Sequence, residues 1–178
     1  MDDKPVVSAR DAEFAINHLK ELADNLLVAT HVTNLAMISG AKKELTLVQV
    51  APFFRMTFCW IVISLSKIVE LWERFGVLAT EEHRLEMRAL LKEIRARRVE
   101  EVRNKVAAHL LDRSTREPMM PEELQPLVLN VVMGNDMHAF FRWLVLLEEP
   151  TDPTTVAGKL LRFRADILKA FPETRITA

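Results

Sequence analysis

Apolar residues recur at intervals of three or four positions along most of this sequence, with polar residues between them. This spacing is typical of helices that bury one face. The first such series consists of Phe14, Leu19, Leu22, Leu26 and Val32. Ser8 is a suitable N-cap and Gly40 a plausible stop, so the pattern predicts a first helix between these two residues.

Two further helices follow in the middle of the chain. Pro52 fits the first turn of a second helix that runs to about Gly76. Thr80 begins a third helical region that extends to about Asp112, and a bend near 96–99 is compatible with the pattern. The segment "TLVQVA" has strand-like composition, but a lone strand would have no partner for its backbone groups.

The C-terminal part predicts two more helices after a polar loop. The loop "DRSTREPMMPEELQP" contains three prolines. A fourth helix is predicted over roughly residues 124–148, and Asp152 is the expected N-cap of a fifth that ends near Ala170, before Pro172. We expect one all-α domain over residues 1–178, a mostly antiparallel bundle of about five helices.

Composition narrows the class of protein. Hydrophobic residues make up 49% and charged residues 28% of the chain, and the net charge is −1. A nucleic-acid contact would therefore need a local basic patch. The apolar stretch 53–72 contains Arg55, Lys67 and Glu70, so we expect a buried bundle helix and no membrane span. The single Cys59 and the polar N-terminus favour a cytoplasmic protein.

One helical stripe organises the residues around position 103. With a turn of 100° per residue, the stripe comprises Val99, Val102, Val106 and Leu110. Arg103 and His109 then lie on its two shoulders, where a half-buried Arg needs an anionic partner. Glu70, an acid among apolar residues, is a candidate for that partner. Asn104 and Ala108 are small enough for a second helix to approach, which suggests a subunit contact.

The same residues do not form a metal site. Arg103 and His109 are six positions apart, about 9 Å along a helix, which does not match two ligands on one helical face. No HExxH, paired CxxC, Walker or dinucleotide-binding pattern is present. No metal or cofactor is therefore expected.

The stretch "VRNKVAAHLLD" resembles the motif of HEPN domains (higher eukaryotes and prokaryotes nucleotide-binding), most closely their abortive-infection-like branch. Arg103, Asn104 and His109 match its order and spacing, and Leu111 stands where some family toxins have Tyr. The resemblance implies a metal-independent endoribonuclease that cleaves RNA through the substrate 2′-hydroxyl across a homodimer. It also implies a toxin or phage-defence role, with a cognate antitoxin or nucleotidyltransferase as a possible partner.

The resemblance assigns a role to each motif residue. His109 would transfer protons as general acid or base. Arg103 would stabilise charge on the phosphate, and Asn104 would orient either the phosphate or His109. The alternative is a non-catalytic helical interaction or ligand-sensing dimer, in which the motif is structural and His109 complements a helix dipole.

Basic residues concentrate just before and within this motif. They are Lys92, Arg95, Arg97, Arg98 and Lys105. Such a patch could follow an RNA backbone. It could equally be a solvated surface in which these cations pair with Glu93, Glu100 and Glu101. His83, in a first helical turn beside Glu81 and Glu82, is expected at the surface. His18 and His31 are expected to be structural or exposed, and His138 is expected at the edge of the bundle.

Overall fold

The computed structural model describes residues 8–107, 121–134 and 136–173. Within these ranges the chain is helical and contains no strand, so the predicted all-α class is confirmed. The helices are α1 (Ala9–Ala41), α2 (Leu47–Phe75), α3 (Glu81–Ala96), α4 (Val99–Val102), α5 (Pro121–Val132), α6 (Met137–Leu144) and α7 (Val156–Ala170). A 3-10 turn at Gly76–Leu78 follows α2, and a π-helical turn at Arg103–Ala107 follows α4.

The long helix α1 packs against both α2 and α7. The α1–α2 pair is antiparallel, because Arg74 near the end of α2 donates to Asp11 near the start of α1, at 2.9 Å. Deeper in the same interface, the hydroxyl oxygens of Thr33 and Thr57 lie 2.7 Å apart, within hydrogen-bond distance. The antiparallel arrangement places the end of α2, and with it Glu70, beside the N-terminal half of α1.

The second helix begins earlier than the sequence suggested. Thr46 is its N-cap, and its backbone N–H donates to Gln49 Oε1 at 2.8 Å in a capping box. Pro52 therefore lies inside the helix, and its predicted place in the first turn is wrong. The capping contact explains the early start, since it satisfies a backbone donor at the helix terminus.

The third predicted helix breaks between α3 and α4. Arg98 adopts a left-handed backbone conformation, with φ 55°, and Val99 then starts the new helix. The break turns the chain so that Val99 and Val102 are buried. No glycine or proline marks the position, which is why the sequence allowed a bend here but predicted a continuous helix.

The fourth predicted helix is likewise two helices. Met133 and Gly134 have φ values of 58° and 111°, which end α5. Asp136 Oδ1 then accepts from the N–H of Ala139 at 2.8 Å and caps α6. Helix α6 ends at Leu144, so the predicted continuation to residue 148 is wrong.

The last helix has a different cap from the predicted one. Thr155 caps α7 through the N–H of Gly158, at 3.0 Å. Asp152 instead accepts from the N–H of Thr154 at 2.7 Å, within the preceding turn. A Cβ on Gly158 would lie 1.8 Å from the Asp152 carbonyl oxygen, so only glycine allows this turn to pack against α7. At the other end of the chain, α1 includes Gly40 and ends one residue later.

The apolar helix α2 forms much of the core. Ile61, Val62, Leu65 and Ile68 on this helix are almost completely buried. By length and composition alone, Val48–Leu78 could cross a membrane. An 18-residue window within it has a mean hydropathy of 1.6, and 33% of that window is buried. A central helix of a bundle has the same composition, so the arrangement is consistent with a soluble protein.

One buried cation joins α3 to α5 and α6. Arg97 is 6% exposed, and its Nη1 donates to the Val131 carbonyl at 2.8 Å. Its Nη2 donates to Glu93 at 2.8 Å, and its guanidinium lies 3.8 Å from the ring centroid of Trp143. A buried Arg with these contacts stabilises the packing of three helices.

We predict that Arg97→Ala lowers the free energy of unfolding by about 2–4 kcal/mol, because it removes charged hydrogen bonds and a desolvated cation–π contact. The matched control is Arg95→Ala, which removes an exposed pair with Glu73 and should cost less than about 1 kcal/mol. Chemical denaturation of both variants measures the difference. Equal losses would contradict a structural role for Arg97.

Candidate functional site

Arg103 lies at the point where α4 changes into a π-helical turn, and its side chain is 27% exposed. Its Nη1 donates to Ser66 Oγ at 2.7 Å and to Glu70 Oε1 at 2.6 Å, both on α2. The acid that the sequence offered as a partner is therefore in contact with it. Both hydrogen bonds are donated by the same nitrogen, and they hold the guanidinium group in place.

The opposite edge of the guanidinium is less engaged. Both Nε and Nη2 lie 3.4 Å from the side-chain oxygen of Asn104, at the long limit of a hydrogen bond. Nη2 also lies 4.0 Å from Glu100. The Nε–Nη2 edge is the one that binds carboxylates and phosphates bidentately, and Asn104 here faces it with a neutral oxygen.

An open cavity of about 380 Å³ surrounds this side chain, between α2 and the junction of α3 with α4. Arg95, Arg98 and Arg103 contribute cations to its walls, and Glu70, Glu73, Glu100 and Glu101 contribute acids. Cations and acids alternate there, so an anion would have to compete with carboxylates that are already present.

The third motif residue, His109, lies outside the described residues, as do Ala108 and Leu110. The stripe that the sequence predicted is therefore described only in part. Val99 and Val102 lie in the core, as that stripe requires. The π-helical turn from Arg103 departs from the regular α-helix on which the predicted spacing of Arg103 and His109 was based.

The basic patch differs from the prediction in one member. Arg97 is buried in the clamp with Val131 and Trp143, so it is not available to a nucleic acid, and its assignment to an RNA surface is wrong. The break after α3 directs it inward, whereas Lys92, Arg95 and Arg98 are exposed.

Most of the other cations have acidic partners. Arg95 pairs with Glu73 at 3.3 Å, and Arg98 and Lys105 both pair with Glu101, at 2.5 and 3.2 Å. Lys92 has no hydrogen bond or ion pair among the described residues. Among the described residues, Arg95, Arg98 and Lys105 are therefore engaged in ion pairs, and Lys92 is not.

A polar cluster that the sequence did not reveal joins α3 to α7. His83 Nδ1 is bonded to Asp166 Oδ2, which also accepts from Thr80 Oγ1 at 2.9 Å. The side chains of His83 and Asp166 are only 13% and 5% exposed, so the expected surface position of His83 is wrong. The available signal was Asp166 itself, an acid at helical spacing from Phe163 on an apolar face.

Among the described residues, the surroundings of Cys59 do not activate its thiol, and no group of side chains forms a metal site. Burial raises the pKa of the Cys59 thiol, with the nearby charge of Arg55 opposing the effect. A raised thiol pKa disfavours the reactive thiolate. Within the described ranges, no three His, Cys, Asp or Glu side chains lie close enough to hold a metal ion.

The chain is an all-α helical bundle, and its fold has a counterpart among solved structures. It is similar to an integron cassette protein, Vpc_cass2, from the mobile metagenome of V. paracholerae, with a TM-score of 0.73. The similarity covers 94% of this chain and 97% of that chain at 20% identity, which shows a shared fold alone. No family model matches the sequence, and no curated protein matches it significantly.

The Asp166 cluster gives a testable pH dependence. Burial raises the pKa of Asp166, but hydrogen bonds from His83 and Thr80 outweigh it, so the pKa is lowered overall. The ionised carboxylate thus stabilises the fold above the unfolded-state pKa of about 3.9, and this stability is lost as the pH falls through the folded-state value.

We predict that Asp166→Asn lowers the free energy of unfolding by about 1–3 kcal/mol at neutral pH, since hydrogen bonds to a charged group are lost. The difference in free energy of unfolding between the variant and wild type should narrow below about pH 4, where protonation of Asp166 removes the same stabilisation from wild type. Asp24→Asn, which removes an exposed pair with Lys20, serves as control. A gap that does not change with pH would contradict the assignment.

Proposed function

We propose that the protein is a metal-independent endoribonuclease of the HEPN type, with Arg103, Asn104 and His109 as its catalytic residues. The observation that carries the proposal is the fixed orientation of Arg103. Ser66 and Glu70 hold its Nη1, while its Nε–Nη2 edge faces Asn104 and an open cavity. A π-helical turn at this position also supports the proposal, because such turns occur frequently at functional sites.

The proposed reaction uses the nucleophile that RNA itself supplies. The 2′-oxygen attacks the adjacent phosphorus and loses its proton to a base, and the bond from phosphorus to the 5′-oxygen breaks. The leaving oxygen takes up a proton, so the products carry a 2′,3′-cyclic phosphate and a 5′-hydroxyl. His109 would serve in this proton transfer, and Arg103 would stabilise the additional negative charge on the phosphate.

A second copy of the chain would provide a fuller set of groups for this reaction. Asn104 and Ala108 are the residues around which we propose that the homodimer packs. Phe53, Met56 and Trp60 on α2 are 44%, 53% and 38% exposed, and these apolar side chains also support association. Sedimentation at micromolar concentration would separate a dimer from a monomer.

The wider biological assignment follows from the same proposal. An RNA substrate would contact Arg95 and Arg98, which line the cavity, and Lys92 and Lys105 outside it. The protein would act in the cytoplasm as a toxin or phage-defence effector, with a cognate antitoxin or nucleotidyltransferase as regulator. A protein that restrains the enzyme is expected on general grounds, since unrestricted RNA cleavage damages the host cell.

We predict that the protein cleaves a mixed RNA pool in the presence of EDTA and leaves 2′,3′-cyclic phosphate ends. His109→Ala should reduce the rate by about 10²–10⁴, as expected for a lost proton-transfer group. Arg103→Lys should reduce it by about 10²–10³, because Lys keeps the charge but loses the planar fork. Rates of end-labelled RNA cleavage give both values.

Two substitutions remote from the motif serve as matched controls. His31→Ala changes an exposed histidine on α1, and Arg88→Lys changes an exposed arginine on α3. Neither should alter the rate. Cleavage that requires Mg²⁺, or that continues at the full rate in His109→Ala, would reject the proposal.

The paired cations favour a second candidate, a non-catalytic interaction or ligand-sensing dimer. Arg95, Arg98 and Lys105 already have acidic partners, which reduces the charge available to an RNA backbone. In that case His109→Ala would lower the melting temperature without removing any nuclease activity. The cleavage assay and a thermal melt on the same variant therefore distinguish the two candidates.

A further inference from the structure

A cavity remote from Arg103 lies between α1, α6 and the segment that follows α6, and its volume is about 420 Å³. Its apolar wall includes Met37, Phe141 and Leu147. The volume is within the range of small-molecule sites in proteins, roughly 300–1,000 Å³. It is therefore large enough to hold a compound of the size of an amino acid.

Thr30 lines this cavity, and its buried hydroxyl has no partner among the described residues. Thr30 on α1 is 2% exposed, and its Oγ1 makes no hydrogen bond to any described residue. By contrast, Thr33, one turn further along α1, donates to the Ala29 carbonyl at 2.8 Å. A buried polar atom without a partner is destabilising, and a ligand with a hydrogen-bonding group would remove that cost.

Two opposite charges also line the cavity. Arg142 lies on α6 and Glu148 on the segment after it, and both are exposed at the rim. Neither forms an ion pair or hydrogen bond with the other or with any other described residue. In the basic patch and at the α3–α7 contact, by comparison, most cations have an acid within 4.0 Å.

We propose that this cavity binds a free α-amino acid with a large apolar side chain. The ligand carboxylate would bind Arg142, which offers a planar pair of donors, and the ammonium group would bind Glu148. The apolar side chain would pack against Met37 and Phe141, and the hydroxyl of Thr30 would donate to the ligand carboxylate, which can accept hydrogen bonds from it and from Arg142. A simple anion would leave Glu148 unpaired and repelled, whereas a zwitterion satisfies both rim charges.

The proposal is tested with L-phenylalanine and two analogues, 3-phenylpropionate, which lacks the ammonium group, and phenethylamine, which lacks the carboxylate. Calorimetric titration of the full chain should show binding of phenylalanine, with each analogue at least about tenfold weaker, as expected for one lost charged hydrogen bond. Absence of binding at millimolar concentrations, or equal affinity for all three compounds, would overturn the proposal.

Variants assign the contacts to individual residues. Arg142→Gln should remove the preference for phenylalanine over phenethylamine, which lacks the carboxylate. Glu148→Gln should remove the preference for phenylalanine over 3-phenylpropionate, which lacks the ammonium group. Arg88→Gln, outside the cavity, should keep both preferences. Equal behaviour of Arg142→Gln and Arg88→Gln would overturn the assignment.

Thr30→Val separates binding from folding. Because it removes a buried hydroxyl without a partner, it should keep or raise the melting temperature of the free protein while weakening phenylalanine binding. Full affinity in a folded Thr30→Val variant would contradict the role of Thr30. These measurements do not depend on RNA cleavage, so their outcome leaves the proposed nuclease activity to its own test.

Discussion

The burial of α1 against two neighbouring helices is the constraint on which the rest of the bundle depends. Five buried alanines reduce the width of this helix where its neighbours pack. They are Ala12, Ala15, Ala23, Ala29 and Ala36. Between them, Ile16, Leu19 and Leu26 fill the interfaces and are at most 1% exposed. Small and large residues that alternate in this way let α2 and α7 pack closely on either side of one helix.

The helices of the bundle differ in how far they could be predicted from the sequence. The apolar spacing of long helices such as α1 and α2 is strong, so their existence and class follow from the sequence. The break after Ala96 does not, because it rests on Arg98, a left-handed residue that local propensity disfavours, whereas Gly134 is a usable stop signal for the break after Val132. Burial of Val99 and of the Arg97 clamp offsets that cost, and only the assembled bundle contains those contacts.

The candidate site was predictable to a similar degree. A half-buried arginine requires an anion, and an acid among apolar residues requires a cation, so charge and burial together suggested Glu70 for Arg103. Ser66 could not be anticipated, since a serine on an apolar helix shows no signal until its neighbour is known. The same limit applies to His83, whose partner Asp166 lies 83 positions away in sequence.

Among the described helices, α1 is synthesised before the others, and one of its two principal partners, α7, is synthesised after them. Ile16 on α1 accepts a hydrogen bond from Arg164 on α7, a contact that spans 148 positions. During synthesis, the side of α1 that α7 covers remains in water, although α2 can already pair with the other side. Growing chains therefore pass through a state with exposed apolar surface, in which chaperone binding competes with aggregation until α7 has been made.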